Sequence, residues 1–205
     1  MGEGIRFIGQ NCIRITTAAG VVYTDPFRMT EEPHDADFVL ITHDHYDHFS
    51  PETLVKVCKK GTVLVVPERM AEKAQEVSDL VGKTVTVRYG SAYSVDGLNF
   101  ETVRSYNIGK MFHPKDAEWV GYIIEADAGR VYVAGDSDAT EEAKAVKCDV
   151  ALIPIGGKYT MDAAEGAELA NIINPKLAIP VHYFDPEAAE KFASLVKPGI
   201  RTEIG

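Results

Sequence analysis

Asp37-Phe38-Val39-Leu40-Ile41 runs directly into Thr42-His43-Asp44-His45-Tyr46-Asp47-His48, which places three of the chain's six histidines within six residues. Neutral imidazole and carboxylate suit zinc, manganese or iron. In an extended segment, residues two apart point the same way, so His43 and His45 can share one ion. Asp47 and His48 lie where the chain turns toward a helix and can reach a second ion beside the first. An isolated H-x-H is more often a histidine-rich surface loop. H-x-H-x-D-H directly after an apolar strand is far more specific to a metal centre.

The elements around this cluster must hold it in place. Alternation and apolar runs predict strands over 5–7, 12–16, 21–24, 37–42 and 62–66. The run at 38–41 is apolar at every position, which suits a strand buried on both faces. Ser50-Pro51-Glu52 starts a helix, with Ser50 as its cap and proline at the first helical position. A second helix is expected over 68–77. Strands return at 84–87, 92–95 and 98–104, with Asp96-Gly97 as a hairpin turn between the last two. A loop over 106–118 precedes a second hairpin, 120–126 with 130–134. Helices are then expected at 140–146, 160–172 and from Asp185-Pro186 to about 196. Strands are expected at 149–153 and 177–180, and an edge strand over 200–204.

Both halves run from strand meanders into alternating strand and helix. That pattern predicts an α/β four-layer αββα sandwich, with two mixed sheets face to face and helices on the outer faces. No internal boundary is visible, and residues 1–205 read as one domain.

Further motifs extend the cluster. Val131-Tyr132-Val133-Ala134-Gly135-Asp136 and Ile179-Pro180-Val181-His182-Tyr183 each read as a strand ending in a potential ligand. Alone, Asp136 would pass for a turn residue and His182 for a hydrogen-bonded core histidine. Together with His43-x-His45-x-Asp47-His48, and in this order, they resemble the metallo-β-lactamase superfamily. Pro154-Ile155-Gly156-Gly157-Lys158-Tyr159-Thr160-Met161 and Pro180-Val181-His182-Tyr183 are similar to its branch of small metal-dependent hydrolases. That branch is related to the ascorbate-6-phosphate lactonases and, more distantly, the N-acylphosphatidylethanolamine phospholipases D.

The resemblance implies His43 and His45 as ligands of one ion, Asp47, His48 and His182 as ligands of a second, and Asp136 as the bridge. It implies two divalent ions, zinc foremost, with manganese or iron as alternatives. The family places a third histidine on the first ion. Here the only histidine in the interval is His113, whereas alignment on Trp119-Val120-Gly121-Tyr122 puts the expected position near Tyr106 or Asn107. Either the loop folds back and supplies His113, or the first ion has one protein ligand fewer. The Asp25-Pro26 turn matches one the family keeps near its metals, which gives Asp25 a hydrogen bond to a ligand histidine as its expected role. His34 reads as a surface-loop residue. Lys158, in a glycine-rich loop, is a candidate anion clamp or equally a solvated lysine. Tyr159 and Tyr106 are candidate donors to an oxyanion.

Composition narrows the partners. Lysine plus arginine total 21 against 31 aspartate plus glutamate, a net charge of −10 that repels phosphate backbones. Nucleic acid is therefore disfavoured as a partner and a small molecule favoured. No apolar run approaches the ~20 residues of a membrane span. Met1-Gly2-Glu3-Gly4-Ile5-Arg6 matches neither a secretory signal nor a myristoylation site. Cys12, Cys58 and Cys148 are widely spaced with no C-x-x-C, as expected of reduced thiols in a cytoplasmic protein. A homo-oligomer remains open. No G-x-S-x-G is present, and the expected chemistry is metal-assisted hydrolysis of an ester, lactone, amide or phosphodiester, with Asp47 orienting the attacking water or taking its proton. The alternatives are a nuclease on the same scaffold and a metal-binding protein without turnover.

Overall fold

Which face each apolar side chain takes decides how the strands stack. The computed structural model describes residues 4–205, so the reading of Met1, Gly2 and Glu3 lies outside the described residues. The first half contains β1 (Ile5–Gly9), β2 (Cys12–Thr17), β3 (Gly20–Thr24), β4 (Ala36–Leu40), α1 (Pro51–Val57), β5 (Cys58–Pro67) and β6 (Lys83–Val87). These strands form one six-stranded sheet in chain order. It is antiparallel through β3 and parallel from there to β6.

The second half contains β7 (Ala92–Val95), β8 (Leu98–Arg104), β9 (Val120–Ala126), β10 (Gly129–Val133), α2 (Glu141–Lys144), β11 (Val150–Pro154), α3 (Ala163–Ile173), β12 (Leu177–Val181), α4 (Pro186–Leu195) and β13 (Arg201–Thr202). Its seven-stranded sheet also follows chain order, antiparallel through β10 and parallel afterwards. The two mixed sheets pack face to face. Phe38 and Leu40 of β4 and Val63 and Val65 of β5 join Tyr122, Val133 and Leu152 in the core between them. Their neighbours Val39, Ile41, Leu64 and Val66 point the other way, against Leu54 and Val57 of α1. A strand apolar at every position is thus buried on both faces, and β11 does the same against α3 and α4. The four-layer αββα sandwich is the observed fold.

Two local expectations are corrected. The helix expected over 68–77 is a pair of 3-10 segments, Glu68–Met70 and Lys73–Leu80, the second kinked at Val77 (φ −121°, ψ 15°). Neither has a side-chain cap, and Ser78 Oγ donates to Gln75 O, a local bond that competes with a regular helix. The helix expected from 160 starts at Ala163, because Asp162 and Glu165 form a capping box there. Thr160 instead accepts from Gly156 N at 2.8 Å and closes the preceding loop.

The three cysteines are free, and burial pushes their thiols up, Cys12 and Cys148 to about 12 and Cys58 to about 11. Such thiols are poor nucleophiles. Among the described residues, no helix is long and apolar enough to cross a membrane.

Candidate metal centre

Strand direction assembles the site. In the first sheet β1, β3 and β4 run the same way, and in the second β8, β10 and β12 do. The loops leaving these six strands carry Gln10, Asp25, His43, His113, Asp136 and His182. Crevices beyond the carboxyl ends of strands are the usual ligand sites of α/β proteins.

Three groupings of donor atoms result, and besides Asp25 with His43 and His48 two of them form donor sets. Ligand atoms of His43, His45, His113 and Asp136 lie within 4.8 Å of one another, and so do those of Asp47, His48 and His182. His43 Nε2 stands 3.0 Å from His45 Nδ1. Asp136 lies between the sets, with Oδ1 3.2 Å from His48 Nε2 and Oδ2 3.3 Å from His182 Nε2 and 3.9 Å from His43 Nε2. His182 Nε2 is also 3.4 Å from Asp47 Oδ2. Two ligands on one tetrahedral zinc stand about 3.3 Å apart.

The polar atoms left over show that the residues fit a metal. Asp136 Oδ1, His182 Nδ1 and Nε2, and His113 Nδ1 are buried without a hydrogen-bond partner. Neighbours of His182 Nε2 thus sit at coordination spacing without hydrogen-bond geometry. Buried orphan atoms of this kind call for a missing group. Charge agrees. Asp25 and Asp136 are buried and Asp47 is half-buried, and among the described residues no lysine or arginine pairs with any of them.

The titration of the metal-free cluster reflects this need for positive charge. Burial alone would lower the pKa of His48, but the carboxylates of Asp136 and Asp25 on either side hold it well above its ordinary value. Burial likewise opposes the proton on His182, and Asp136 and Asp47 outweigh it, raising it to about 9. Asp136 is held low despite burial by His48 and His182. Burial drives His43 and His45 down and His113 to about 3, leaving these imidazoles neutral. Neutral imidazole is the form that ligates.

Asp25 fixes two of the rings. Its Oδ1 accepts from Thr42 N at 2.8 Å, and its Oδ2 accepts from Thr42 Oγ1 at 2.7 Å. Thr42 Oγ1, its proton committed to Asp25, accepts from His43 Nδ1 at 2.9 Å. His48 Nδ1 donates directly to Asp25 Oδ2 at 2.8 Å, so both rings hold a proton on Nδ1 and turn Nε2 toward the donor sets. Gly135, with φ +63°, lets the end of β10 approach closely, since a Cβ there would stand 3.0 Å from Thr42 Cβ.

Known proteins resemble this chain in sequence and fold. A family model described as the β-lactamase superfamily domain matches residues 4–182. The chain belongs to the metallo-β-lactamase superfamily. A UPF0173 metal-dependent hydrolase of Thermococcus onnurineus is 30% identical over 218 residues, covering 98% of this chain and 94% of the relative. One from Methanopyrus kandleri is 30% identical over 197 residues, covering 87% and 83%. A crystal structure of a protein from Parabacteroides distasonis, described as a metal-dependent hydrolase, superposes with a TM-score of 0.85 at 30% identity, covering 98% of this chain and 91% of that one.

On this metallo-β-lactamase fold, His113 is the histidine that lies with His43, His45 and Asp136. The loop folds back, with Asn107 N donating to His113 O at 2.7 Å. Asn107, at the family's expected position, instead donates its side-chain amide to Asp136 O at 2.9 Å. Asp25 bonds a histidine of the cluster as expected, whereas His34 is exposed and binds Cys58 O.

The substrate candidates divide. Tyr159 lines a cavity of about 320 Å³ over the donors. Tyr106 does not, which corrects its expected role: its hydroxyl donates to Glu142 at 2.9 Å and receives Lys115 at 3.2 Å. Lys158 is also absent from the lining, because its ammonium lies 5.0 Å from the centre of the Tyr159 ring. Sequence reasoning missed Gln10, which donates to Asp47 Oδ2 at 2.6 Å, and Asn11, whose amide nitrogen is 3.1 Å from His48 Nε2. It also missed Trp119, 4.3 Å from the His113 ring and 5.0 Å from His45. A polar Gln-Asn pair in a hairpin carried no signal of its own.

Proposed function

We propose that this metal-dependent hydrolase holds two divalent ions, zinc foremost, and cleaves an ester, lactone or phosphodiester bond of a small molecule in the cytoplasm. The observation that carries the reading is the pair of donor sets flanking Asp136, His43-His45-His113 on one side and Asp47-His48-His182 on the other. Bound divalent ions would supply a water that loses its proton near neutral pH and would polarise the bond under attack.

The chain's own residues set the rest. Gln10 donates to Asp47 Oδ2 and His182 Nε2 stands 3.4 Å from the same oxygen, which holds that side of the carboxylate in place. Neither contact uses Oδ1, which is left to accept the proton of the attacking water. Asp47 stays ionised, since His182 and the charge on His48 outweigh burial. For an ester or lactone, the water oxygen joins the acyl carbon and the acyl–oxygen bond breaks. The proton taken by Asp47 passes to the departing oxygen. The net charge of −10 supports a small substrate over a nucleic acid. Three free thiols, two of them buried, support a reducing compartment.

The test is elemental analysis of the purified protein followed by assays on lactones, carboxylic esters and phosphodiesters. About two equivalents of metal and chelator-sensitive turnover are expected. A fully metal-loaded protein inert on every class would instead mark a metal-binding protein without catalysis.

A further inference from the structure

The cavity above the donors has a polar floor and an aromatic wall. The floor is Asp47, Asp136, His45 and His182, and the wall is Tyr46, Phe112, Tyr159 and Phe184. Each wall residue comes from a different loop, those leaving β4, β8, β11 and β12. All four are exposed, Tyr46 and Phe184 by about three quarters (74% and 76%). Phe112 meets Tyr159 edge-to-face at 5.4 Å across the opening, and Phe184 stands edge-on to His182 at 6.2 Å. Four loops converging on one mouth with one kind of side chain is a recognition surface.

Charge says what the wall does not take. Among the described residues, no lysine or arginine lines the cavity. The ammonium groups of the flanking loops are engaged: Lys110 with Asp138 at 2.6 Å and Thr160 O at 2.7 Å, Lys158 over the Tyr159 ring, and Lys73 with Asp44 O. A substrate with a phosphate or carboxylate remote from the reacting bond would bury that anion among rings with nothing to pair it. A volume of about 320 Å³ falls at the small end of small-molecule sites.

Resting on the hydrolase reading above, we infer that the substrate is an uncharged ester or lactone whose non-reacting part is an apolar aryl or acyl group held by Tyr46, Phe112, Tyr159 and Phe184. The donors on the floor hold the reacting bond, and the wall sets which molecule is presented. The products are the matching alcohol and carboxylic acid, or the hydroxy acid from a lactone, after addition of one water.

The test uses the full-length metal-loaded protein and three γ-lactones: unsubstituted, phenyl-substituted, and bearing a phosphate on the same side arm. Wild type is expected to prefer the phenyl lactone in kcat/KM over both others. In Phe112→Ser/Phe184→Ser, the preference for phenyl over unsubstituted lactone should fall about tenfold, carried mainly by KM. Phe184→Lys should raise the relative rate on the phosphorylated lactone. Metal content and a melting curve identify any misfolded variant, and Tyr46→Ser serves as a second substitution in an independent loop. Saturation-transfer NMR with 3-phenylpropanol separates the two readings. Binding that the double variant loses supports the aromatic wall even if no lactone is hydrolysed, in which case the hydrolase reading alone fails. Preference for the phosphorylated lactone in wild type, or 3-phenylpropanol binding indifferent to the substitutions, overturns the inference. So does an oligomer that Phe184→Lys dissociates, since a second copy would then own the wall.

Discussion

Asp25 Oδ2 lies 2.8 Å from His48 Nδ1 at the fully buried end of β3, and Asp25 reaches that position with a left-handed backbone, φ 42°. Aspartate tolerates this conformation better than most residues, and a strained backbone at a buried carboxylate is where function is expected. Through Thr42 the same carboxylate governs His43, so one residue aims a ring in each donor set.

Asp25→Ala should therefore weaken metal binding about 10–100-fold without removing a ligand. Competition with a calibrated chelator measures this. Binding unchanged from wild type would show that packing alone orients the two rings.

His113→Ala should lower the bound metal by about one equivalent, as expected of a ligand to one ion of a pair. Tyr106→Phe should leave the metal content at the wild-type value, because that hydroxyl is turned toward Glu142. Elemental analysis of both variants, purified alongside wild type, decides between a ligand and a mere neighbour.

Metal uptake should release protons. In the metal-free protein His182 titrates at about 9 and His48 well above its ordinary value, so both are charged at neutral pH. A cation must displace those protons, and its apparent affinity should rise with pH through about 9. Calorimetry in buffers of different ionisation enthalpy counts them. The sign for folding is opposite. The His182 proton stabilises the metal-free protein fully below about pH 6.5, the unfolded value, and that share is lost as pH climbs through about 9.

Lys110 fastens the loop that carries Phe112 and His113 to two other segments, at Asp138 and Thr160. Lys110→Met leaves the Asp138 carboxylate without its cation and should cost about 1–3 kcal/mol. The loss should be local. Amide exchange is expected to accelerate over residues 107–113 while β10 keeps its protection, and uniform acceleration throughout the chain would count against a local fastening.

The sequence was readable where signals are local. His43-x-His45-x-Asp47-His48 sits in one loop after an all-apolar strand, so both chemistry and placement follow from spacing. Phe38 to Ile41 could be assigned to a doubly buried strand because every position is apolar, and the two hydrophobic clusters on either side of β4 match. His113 was not decidable. Its loop has no periodicity, and its path is set by Asn107, Lys110 and Asp138, partners remote from the histidine in type or position. Gln10, Tyr46, Phe112 and Phe184 were invisible for the same reason, and Tyr159 was named only as an oxyanion donor. Each is an ordinary residue alone, and only the meeting of strand ends from two sheets gives it a role. At 68–77 the buried spacing of Met70, Ala74 and Val77 is helical, yet uncapped ends and Ser78 bend the segment into 3-10 turns.

Neither sheet owns a whole donor set. His43, His45, Asp47 and His48 follow a strand of the first, whereas His113, Asp136 and His182 follow strands of the second. Any cation seated there is a rivet through the seam of the sandwich, added to the hydrocarbon core and to a few bonds such as Tyr122 Oη to Ile41 O and Val120 N to Thr42 O. Breathing of that seam and escape of the cation are then one motion, and the slower of the two sets the lifetime of both.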